Sequence, residues 1–293
     1  MIEPARAGVI AMIAVCAIWG MSPIYYGWVS HVPPLEVMCH RAIWSAVLFV
    51  AILTVQGRFG ELKSVMADRS QRKPILAASL AIAINWYLFI LATAIDRVSE
   101  SSLGYYVFPL VSVGVGWAVL GERLSKPQWA AVGIASAAVA LLGWGLGEMP
   151  WIALGLAITM TIYGLMKRYV TAGPMVSVAA EAIWVAPLAI AWVLVQGQTH
   201  GDVLTWLLLM GTGPMTAIPL LMFSYAAQRI SMATQGFLMY LNPSIQAVVA
   251  FAILAEPLTQ WHAIGFPMIW VALALYSLDV MRRERRARVS PAP

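Results

Sequence analysis

Ionisable side chains inside long apolar runs are the residues of this sequence best placed to bind a polar molecule. His40 and Arg41 lie in one such run, and Trp44 follows at helical spacing, so the three share roughly one helix face. Glu181 lies in another run, three residues before Trp184. Because a charge in an apolar run is costly unless it faces water or a protein interior, these residues predict a polar binding site. For Arg41, the alternative is a side chain that extends to the membrane interface.

Aromatic and amide side chains form a second candidate set, since most of them also lie well inside apolar runs. Rings with one polar atom supply apolar faces and attract cations, which suits a cavity for an amphipathic organic solute. We expect about half of them to line such a cavity, and the others to pack between helices. The set comprises Trp19, Asn85, Trp86, Tyr105, Tyr106, Tyr163, Tyr225, Tyr240 and Asn242.

Motifs for catalysis and metal binding are missing from the sequence. It contains neither a Gly-x-x-x-x-Gly-Lys-Ser/Thr phosphate loop nor a His-Glu-x-x-His motif, and its four histidines are scattered singly. We therefore expect no enzyme activity, no cofactor and no metal site. The alternative from a different functional class is a lipid-modifying enzyme or a membrane scaffold.

The composition predicts an integral membrane protein. Of 293 residues, 61% are apolar and only 11% are charged, and the mean hydropathy is +0.80, which a water-soluble domain could not sustain. The net charge of +5 could indicate nucleic-acid binding, but the basic residues lie in short loops and the tail, where membrane orientation explains them. Membrane lipids and a small-molecule substrate are the expected partners.

Ten apolar runs have about the 20 residues that a transmembrane helix requires, so we expect an all-α fold with ten transmembrane helices. Between the second and third runs, residues 57–74 predict a short amphipathic surface segment. The ten runs cover residues 8–28, 35–56, 75–94, 101–120, 128–146, 151–168, 175–196, 204–226, 234–254 and 261–280.

The positive charges predict the orientation. If the N-terminus is cytoplasmic, 16 of the 18 Lys and Arg residues fall in cytoplasmic segments, as the positive-inside rule requires. Only Arg97 falls outside, and Arg41 lies within a span. Ten spans place both termini on the same side, so both are expected in the cytoplasm.

An internal repeat divides the chain into two halves. The segment Gly104–Glu122 recurs as Gly236–Glu256, and Pro109 of the first copy corresponds to Pro243 of the second. Ala42-Ile43-Trp44 recurs as Ala182-Ile183-Trp184, which places Arg41 and Glu181 at equivalent positions. Such a pair suits a salt link between the halves or the two ends of a zwitterion. The predicted units are residues 1–147, residues 148–281 and a basic cytoplasmic tail at 282–293.

Five spans per half is an odd number, so the second half enters the membrane in the opposite orientation. Inverted repeats of this kind are typical of secondary transporters, in which two similar halves exchange inward-open and outward-open shapes around a central site. Because proline interrupts helical hydrogen bonding, the repeat-related Pro109 and Pro243 are candidates for gating. Two fused halves already supply internal symmetry, so a monomer is plausible.

Six sequence motifs follow one another over essentially the whole chain. They are His40-Arg41-Ala42-Ile43-Trp44-Ser45, Asn85-Trp86-Tyr87-Leu88-Phe89-Ile90, Ser102-Leu103-Gly104-Tyr105-Tyr106, Leu120-Gly121-Glu122-Arg123-Leu124, Gln128-Trp129 and Ile269-Trp270-Val271-Ala272-Leu273-Ala274. Together these motifs resemble RarD-type permeases of the EamA group in the drug/metabolite transporter superfamily. One position departs from that pattern, since Phe108 precedes Pro109 where we expect Asn, although Asn242-Pro243 is kept.

The resemblance implies two inverted five-helix halves, with the first four helices of each around a cavity and the fifth packed outside. It also implies export of small organic solutes, amino acids among them, because bacterial amino acid exporters are similar members. RarD-type proteins are themselves linked to chloramphenicol sensitivity.

Together these observations predict a transporter that exports amino acids, including aromatic and apolar ones, by alternating access. The aromatic residues would hold the solute's side chain. The alternative is a multidrug or metabolite permease in which Glu181 carries a coupling proton. The residues expected to contact the polar ends of the solute are His40, Arg41, Asn85, Glu181 and Asn242.

Overall fold

The computed structural model describes residues 2–121, 124–147, 149–196, 202–227, 229–230, 235 and 238–289, and these contain helices and loops without strands. The helix at Leu241–Val248 continues into a π-helical turn at Val249–Ile253. The helices are α1 (Ile2–Gly27), α2 (Pro34–Val55), α3 (Phe59–Ala67), α4 (Arg69–Ala94), α5 (Val98–Leu120), α6 (Lys126–Leu146), α7 (Trp151–Lys167), α8 (Pro174–Gln196), α9 (Val203–Ala227), α10 (Leu241–Val248) and α11 (Gln260–Val289).

Eight of the described helices are long and apolar enough to cross a membrane, namely all except α3, α7 and α10. The sixth and ninth predicted spans correspond to shorter apolar helices, Trp151–Lys167 and Leu241–Ile253. Residues 234, 236 and 237 of the predicted ninth span lie outside the described residues, and so do Glu122 of the repeat and tail residues 290–293.

The segment between the second and third spans forms the short helix α3. Its Arg58 and Glu61 side chains are paired at 2.8 Å on the surface. Helix α4 then begins at Arg69, ahead of the apolar run, because the Asp68 carboxylate accepts a hydrogen bond from the Ser70 amide at 2.8 Å. Hydrogen bonds from the Ser70 side chain and amide hold the pKa of Asp68 below its usual range.

Helices from the two ends of the chain pack against each other in pairs. Helix α2 packs on α8, α6 on α11, and α5 on α10, while α1 contacts α9 and α4 contacts α7. Glycines allow the closest approaches: a Cβ on Gly104 of α5 would lie 2.8 Å from the Ala153 carbonyl oxygen of α7. The same atom on Gly213 of α9 would lie 2.8 Å from the Trp44 backbone of α2.

A carboxylate joins α10 to α5 at the end of the bundle that carries the α4–α5 loop. Glu256 accepts hydrogen bonds from the backbone amides of Val98 and Ser99, at 2.9 Å for Ser99. These amides belong to the first turn of α5 and have no acceptor within the helix. Deeper in the bundle, Ser102 of the second turn of α5 donates to the Pro243 carbonyl oxygen of α10 at 2.7 Å, so the first two turns of α5 are both bound.

Candidate functional site

A cavity of about 580 Å³ lies at the centre of the helix bundle. Every described helix except α3 and α6 contributes to its wall, and most of the lining side chains are apolar or aromatic. Within the described part of the chain, no group of three His, Cys, Asp or Glu side chains is placed to hold a metal ion. The lining residues that were singled out from the sequence are Trp19, Arg41, Asn85, Trp86, Tyr105, Pro109, Tyr163, Glu181, Tyr240, Asn242 and Pro243.

His40 and Tyr225, two residues expected at the site, lie outside the cavity wall. His40 is adjacent to Arg41, but a helix turns by about 100° per residue, so its ring points to α9, where it lies 5.4 Å from the ring of Trp206. The Tyr225 side chain is 43% exposed and stacks under the Arg229 guanidinium group at 3.6 Å.

Trp44, Tyr106 and Trp184 are also outside the cavity wall, because they pack between helices. The Tyr106 hydroxyl group is 2.6 Å from that of Ser244, and its ring contacts Phe266. Trp44 lies against the Gly213 position of α9, and Trp184 belongs to the apolar cluster between α2, α8 and their neighbours. The aromatic residues of the set therefore divide between cavity wall and helix packing.

Arg41 lies in the cavity wall with its guanidinium group stacked on Trp86. The guanidinium carbon is 3.4 Å from the centroid of the Trp86 ring, a cation–π contact. The Arg41 side chain also interacts with the hydroxyl group of Tyr26. Arg41 is only 7% exposed, so it does not extend to the membrane interface.

Glu181 is paired with Lys167, and not with Arg41 as the repeat suggested. The Nζ atom of Lys167 lies 2.6 Å from Oε1 of Glu181, and Ser177 donates to the same oxygen at 2.9 Å. The Tyr163 hydroxyl group donates to Oε2 at 3.1 Å. The guanidinium group of Arg41 is stacked on Trp86, whereas the short connection between α7 and α8 keeps Lys167, the last residue of α7, near the N-terminal half of α8.

The two asparagines expected to contact a solute use their side chains within the protein. Asn85 donates to the Leu156 carbonyl oxygen and to the Thr159 hydroxyl group, both at 2.9 Å, and accepts from the Tyr105 hydroxyl group at 3.2 Å. Asn242 accepts from Gln246 at 3.1 Å. Asn85 therefore ties α4 to α7 and α5 beside the cavity, whereas the Asn242 side chain is bonded within α10.

Sequence analysis missed several polar residues of the site. Lys167 was counted with the loop charges that set orientation, although its place at the end of an apolar run before Glu181 was visible. Ser45 follows Arg41 by one helical turn, a spacing that puts both on one face. Gln246 and Ser277 carried no comparable signal, because only the packing of α10 and α11 brings them to the wall.

Several pairs of positions that the predicted repeat would make equivalent both line the cavity. When Ala42-Ile43-Trp44 is aligned with Ala182-Ile183-Trp184, the lining residues of α2 and α8 form the pairs Met38 and Val178, Arg41 and Glu181, Ala42 and Ala182, and Ser45 and Val185. When Pro109 is aligned with Pro243, the lining residues Tyr105 and Phe108 of α5 pair with Met239 and Asn242. Pro109 lies in the middle of α5, whereas Pro243 lies in the first turn of α10.

Comparisons with known proteins agree with this architecture. Residues 6–144 match the EamA-like transporter family. The chain is 37% identical to the protein RarD of Streptomyces exfoliatus, over 97% of this chain and 92% of that one. It is 32% identical to the protein RarD of Escherichia coli, over 96% and 97% of the two chains. A solved crystal structure superposes with a TM-score of 0.62 at 16% identity, covering 93% of this chain and 98% of the other.

The crystal structure shares the fold, and the relatives identify the family, because their identity extends over nearly the full length of both chains. Several further relatives are named as transporters. A multi-pass helical protein built around a central cavity is consistent with that activity. The chain is a membrane transporter that belongs to the RarD-type permeases of the EamA-like transporter family.

Proposed function

We propose that this transporter exports small amphipathic organic solutes, chiefly amino acids including aromatic and apolar ones, across the bacterial inner membrane. The observation that carries the proposal is a central cavity that combines aromatic and apolar walls with the charged residues Arg41 and Glu181. The apolar walls would hold the solute's side chain, and the charged residues would select its polar end. The volume of about 580 Å³ is in the range of small-molecule sites.

Alternating access between two inverted halves is part of the proposal. The equivalent lining positions of α2 and α8, and of α5 and α10, support it, because an inverted repeat places its solute site at the interface of the halves. The helix pairing also supports alternating access. In the proposed halves α1 corresponds to α7 and α4 corresponds to α9, and α1 contacts α9 just as α7 contacts α4. Residues 1–147 and 148–281 are the proposed halves.

With both termini in the cytoplasm, the α4–α5 loop lies outside the cell. At that end, Glu256 binds the start of α5, and His31 of the α1–α2 loop lies 2.9 Å from Thr205 of α9. These contacts support a conformation that is closed toward the outside. The tail at 282–293 would then lie in the cytoplasm, near anionic lipid head groups.

Counterflow in proteoliposomes tests the transport proposal. Vesicles loaded with an unlabelled amino acid mixture receive labelled phenylalanine outside, and its uptake is followed with and without a proton gradient. Saturable uptake that depends on the internal amino acids is expected, and vesicles without protein provide the control. If protein that is folded and correctly inserted exchanges no amino acid, the proposal of amino acid transport is wrong.

A second candidate function is a permease for drugs or other metabolites that uses Glu181 as a proton-coupled carboxylate. It is favoured by the contact of Tyr163 with Glu181 in the cavity wall, which places a titratable group beside the solute. In that case uptake requires a proton gradient, and Glu181→Gln abolishes the gradient dependence. Uptake of chloramphenicol without exchange of amino acids would select this candidate over the first.

A further inference from the structure

Three hydrogen-bond donors in residues of the cavity wall have no acceptor among the described residues. They are Nε of Arg41, Nε1 of Trp19 and Oγ of Ser45, and all three residues line the cavity. Guanidinium and indole nitrogens donate and cannot accept, whereas the Ser45 hydroxyl group can do both. Each of these atoms exposes almost no surface, so it reaches a solute only when its side chain turns toward the cavity. Because buried donors without acceptors are destabilising, a solute that brings acceptor oxygens favours that turn.

The charges of the wall favour the same kind of solute. Within the described part of the chain, no carboxylate lies within ion-pair distance of Arg41, although the residue is only 7% exposed. The other charged lining residue, Glu181, has its charge balanced by Lys167 at 2.6 Å. Counted with Lys167, the wall therefore carries one positive charge in excess, which an anionic group on the solute would neutralise.

The stacking of Arg41 on Trp86 leaves the guanidinium edge available. The contact at 3.4 Å uses the face of the guanidinium plane, whereas its five N–H groups lie in that plane. Tyr26 interacts with part of this set, and the remaining N–H groups are enough for two parallel hydrogen bonds to a carboxylate. Ser45, one helical turn away, can bond to a carboxylate bound there.

Building on the proposed transport function, we infer that Arg41 is a carboxylate-binding residue and that the cavity does not require an amino group on its solute. The substrate class is then small organic monocarboxylates with an apolar or aromatic body. Amino acids belong to it, and so do their deaminated analogues, because Glu181 is already bound by Lys167, Ser177 and Tyr163. Amines and amides with the same body are excluded from it.

Thermal shift measurements on the purified full-length protein test this inference with matched compounds. Three bodies are compared, phenyl, indolyl and isobutyl, each as the amino acid, the deaminated acid, the amine and the amino acid amide. The acids and amino acids are expected to raise the midpoint of unfolding, and the amines and amides to leave it unchanged. Arg41→Met should weaken acid binding roughly 10- to 100-fold, and Arg41→Lys should weaken it less.

Arg229→Met is the matched control, because Arg229 also stacks on an aromatic ring, at 3.6 Å from Tyr225, and lies outside the cavity. It should bind acids like the unchanged protein. The inference is overturned if amines bind as well as acids, if no acid of any body binds, or if Arg41→Met that is folded binds acids normally. If amines are exchanged in counterflow, the proposed transport function stands and the inferred carboxylate specificity is wrong. If acids bind but no solute is exchanged, the proposed transport function is wrong and the inferred carboxylate site stands.

Discussion

The Nζ atom of Lys167 lies 2.6 Å from Oε1 of Glu181 in the wall of the central cavity. This ion pair joins the last residue of α7 to the N-terminal half of α8, and Tyr163 contacts the other carboxylate oxygen. Glu181 is 3% exposed while the Lys167 side chain is 25% exposed. A solute that enters the cavity therefore meets a carboxylate whose charge is already balanced.

The first prediction concerns the stability of this pair. Lys167→Met should lower the free energy of unfolding by about 2 kcal/mol, because it leaves the buried Glu181 carboxylate without its cation. The double variant Lys167→Met with Glu181→Met should lose less free energy of unfolding than the two single variants lose together. The difference, which is the coupling energy of the pair, should be about 1 kcal/mol or more. Thermal or denaturant unfolding in one detergent measures all four proteins. Additive single effects would show that the two groups do not interact.

The second prediction concerns Glu256, which binds the first turn of α5. Glu256→Ala removes both hydrogen bonds to the amides of Val98 and Ser99, and should lower the free energy of unfolding by about 2–3 kcal/mol. Glu256→Gln keeps an acceptor oxygen and should cost less. Glu61→Ala is the control, since its carboxylate pairs with Arg58 on the surface. Equal effects of Glu256→Ala and Glu61→Ala would contradict the prediction.

Glu256→Ala should also open the α4–α5 end of the bundle. Ser101 is fully buried there, so a cysteine at this position should react slowly with a membrane-impermeant thiol reagent. In protein whose Cys16 and Cys39 are replaced by alanine, Glu256→Ala should raise the labelling rate of Ser101→Cys several-fold. An unchanged rate would mean that other contacts suffice to close this end.

The third prediction compares two glycines of α5. Gly104→Ala places a Cβ 2.8 Å from the Ala153 carbonyl oxygen and 2.9 Å from Leu156 Cβ, so α5 and α7 must move apart, whereas a Cβ on Gly114 meets nothing within 4 Å. We expect Gly104→Ala to cost about 1–3 kcal/mol of stability. Gly114→Ala should be neutral or stabilise by up to about 1 kcal/mol, because alanine favours helix. The measurement is the unfolding midpoint of each variant, and a midpoint for Gly104→Ala at or above that of Gly114→Ala would contradict the prediction.

The fourth prediction separates two tryptophans that the sequence presents alike. Trp86 lies in the cavity wall under Arg41, and Trp184 packs among the apolar side chains around α2 and α8. Trp86→Leu should lower the counterflow rate about tenfold, since it removes the cation–π contact and part of the wall. Trp184→Leu should change stability more than transport per folded molecule. If Trp184→Leu lowered transport and Trp86→Leu lowered only stability, the solute would have to bind on the side of α8 that carries Trp184.

The amino-acid sequence alone was sufficient to predict a helical membrane protein and its family. Apolar runs of about 20 residues must become helices in a bilayer, because every backbone polar group needs a partner within the segment. Helix α7 agrees with its predicted span to within one residue, whereas α4 begins at Arg69, six residues before the predicted start. The first and last residues of a helix depend on capping groups and loops, which the length of an apolar run does not predict.

Helix packing decided which side chains share the cavity and which partners they have. Arg41 and His40 are adjacent in sequence, yet of the two only Arg41 lines the wall, because neighbouring residues of a helix face different directions. The sequence offered Arg41 as the partner of Glu181, whereas the short connection between α7 and α8 brings Lys167 to Glu181 instead. The strength of an ion pair depends on the distance between its two groups and on their burial. Both quantities are set by the arrangement of the helices, and the spacing of residues along the chain does not determine either.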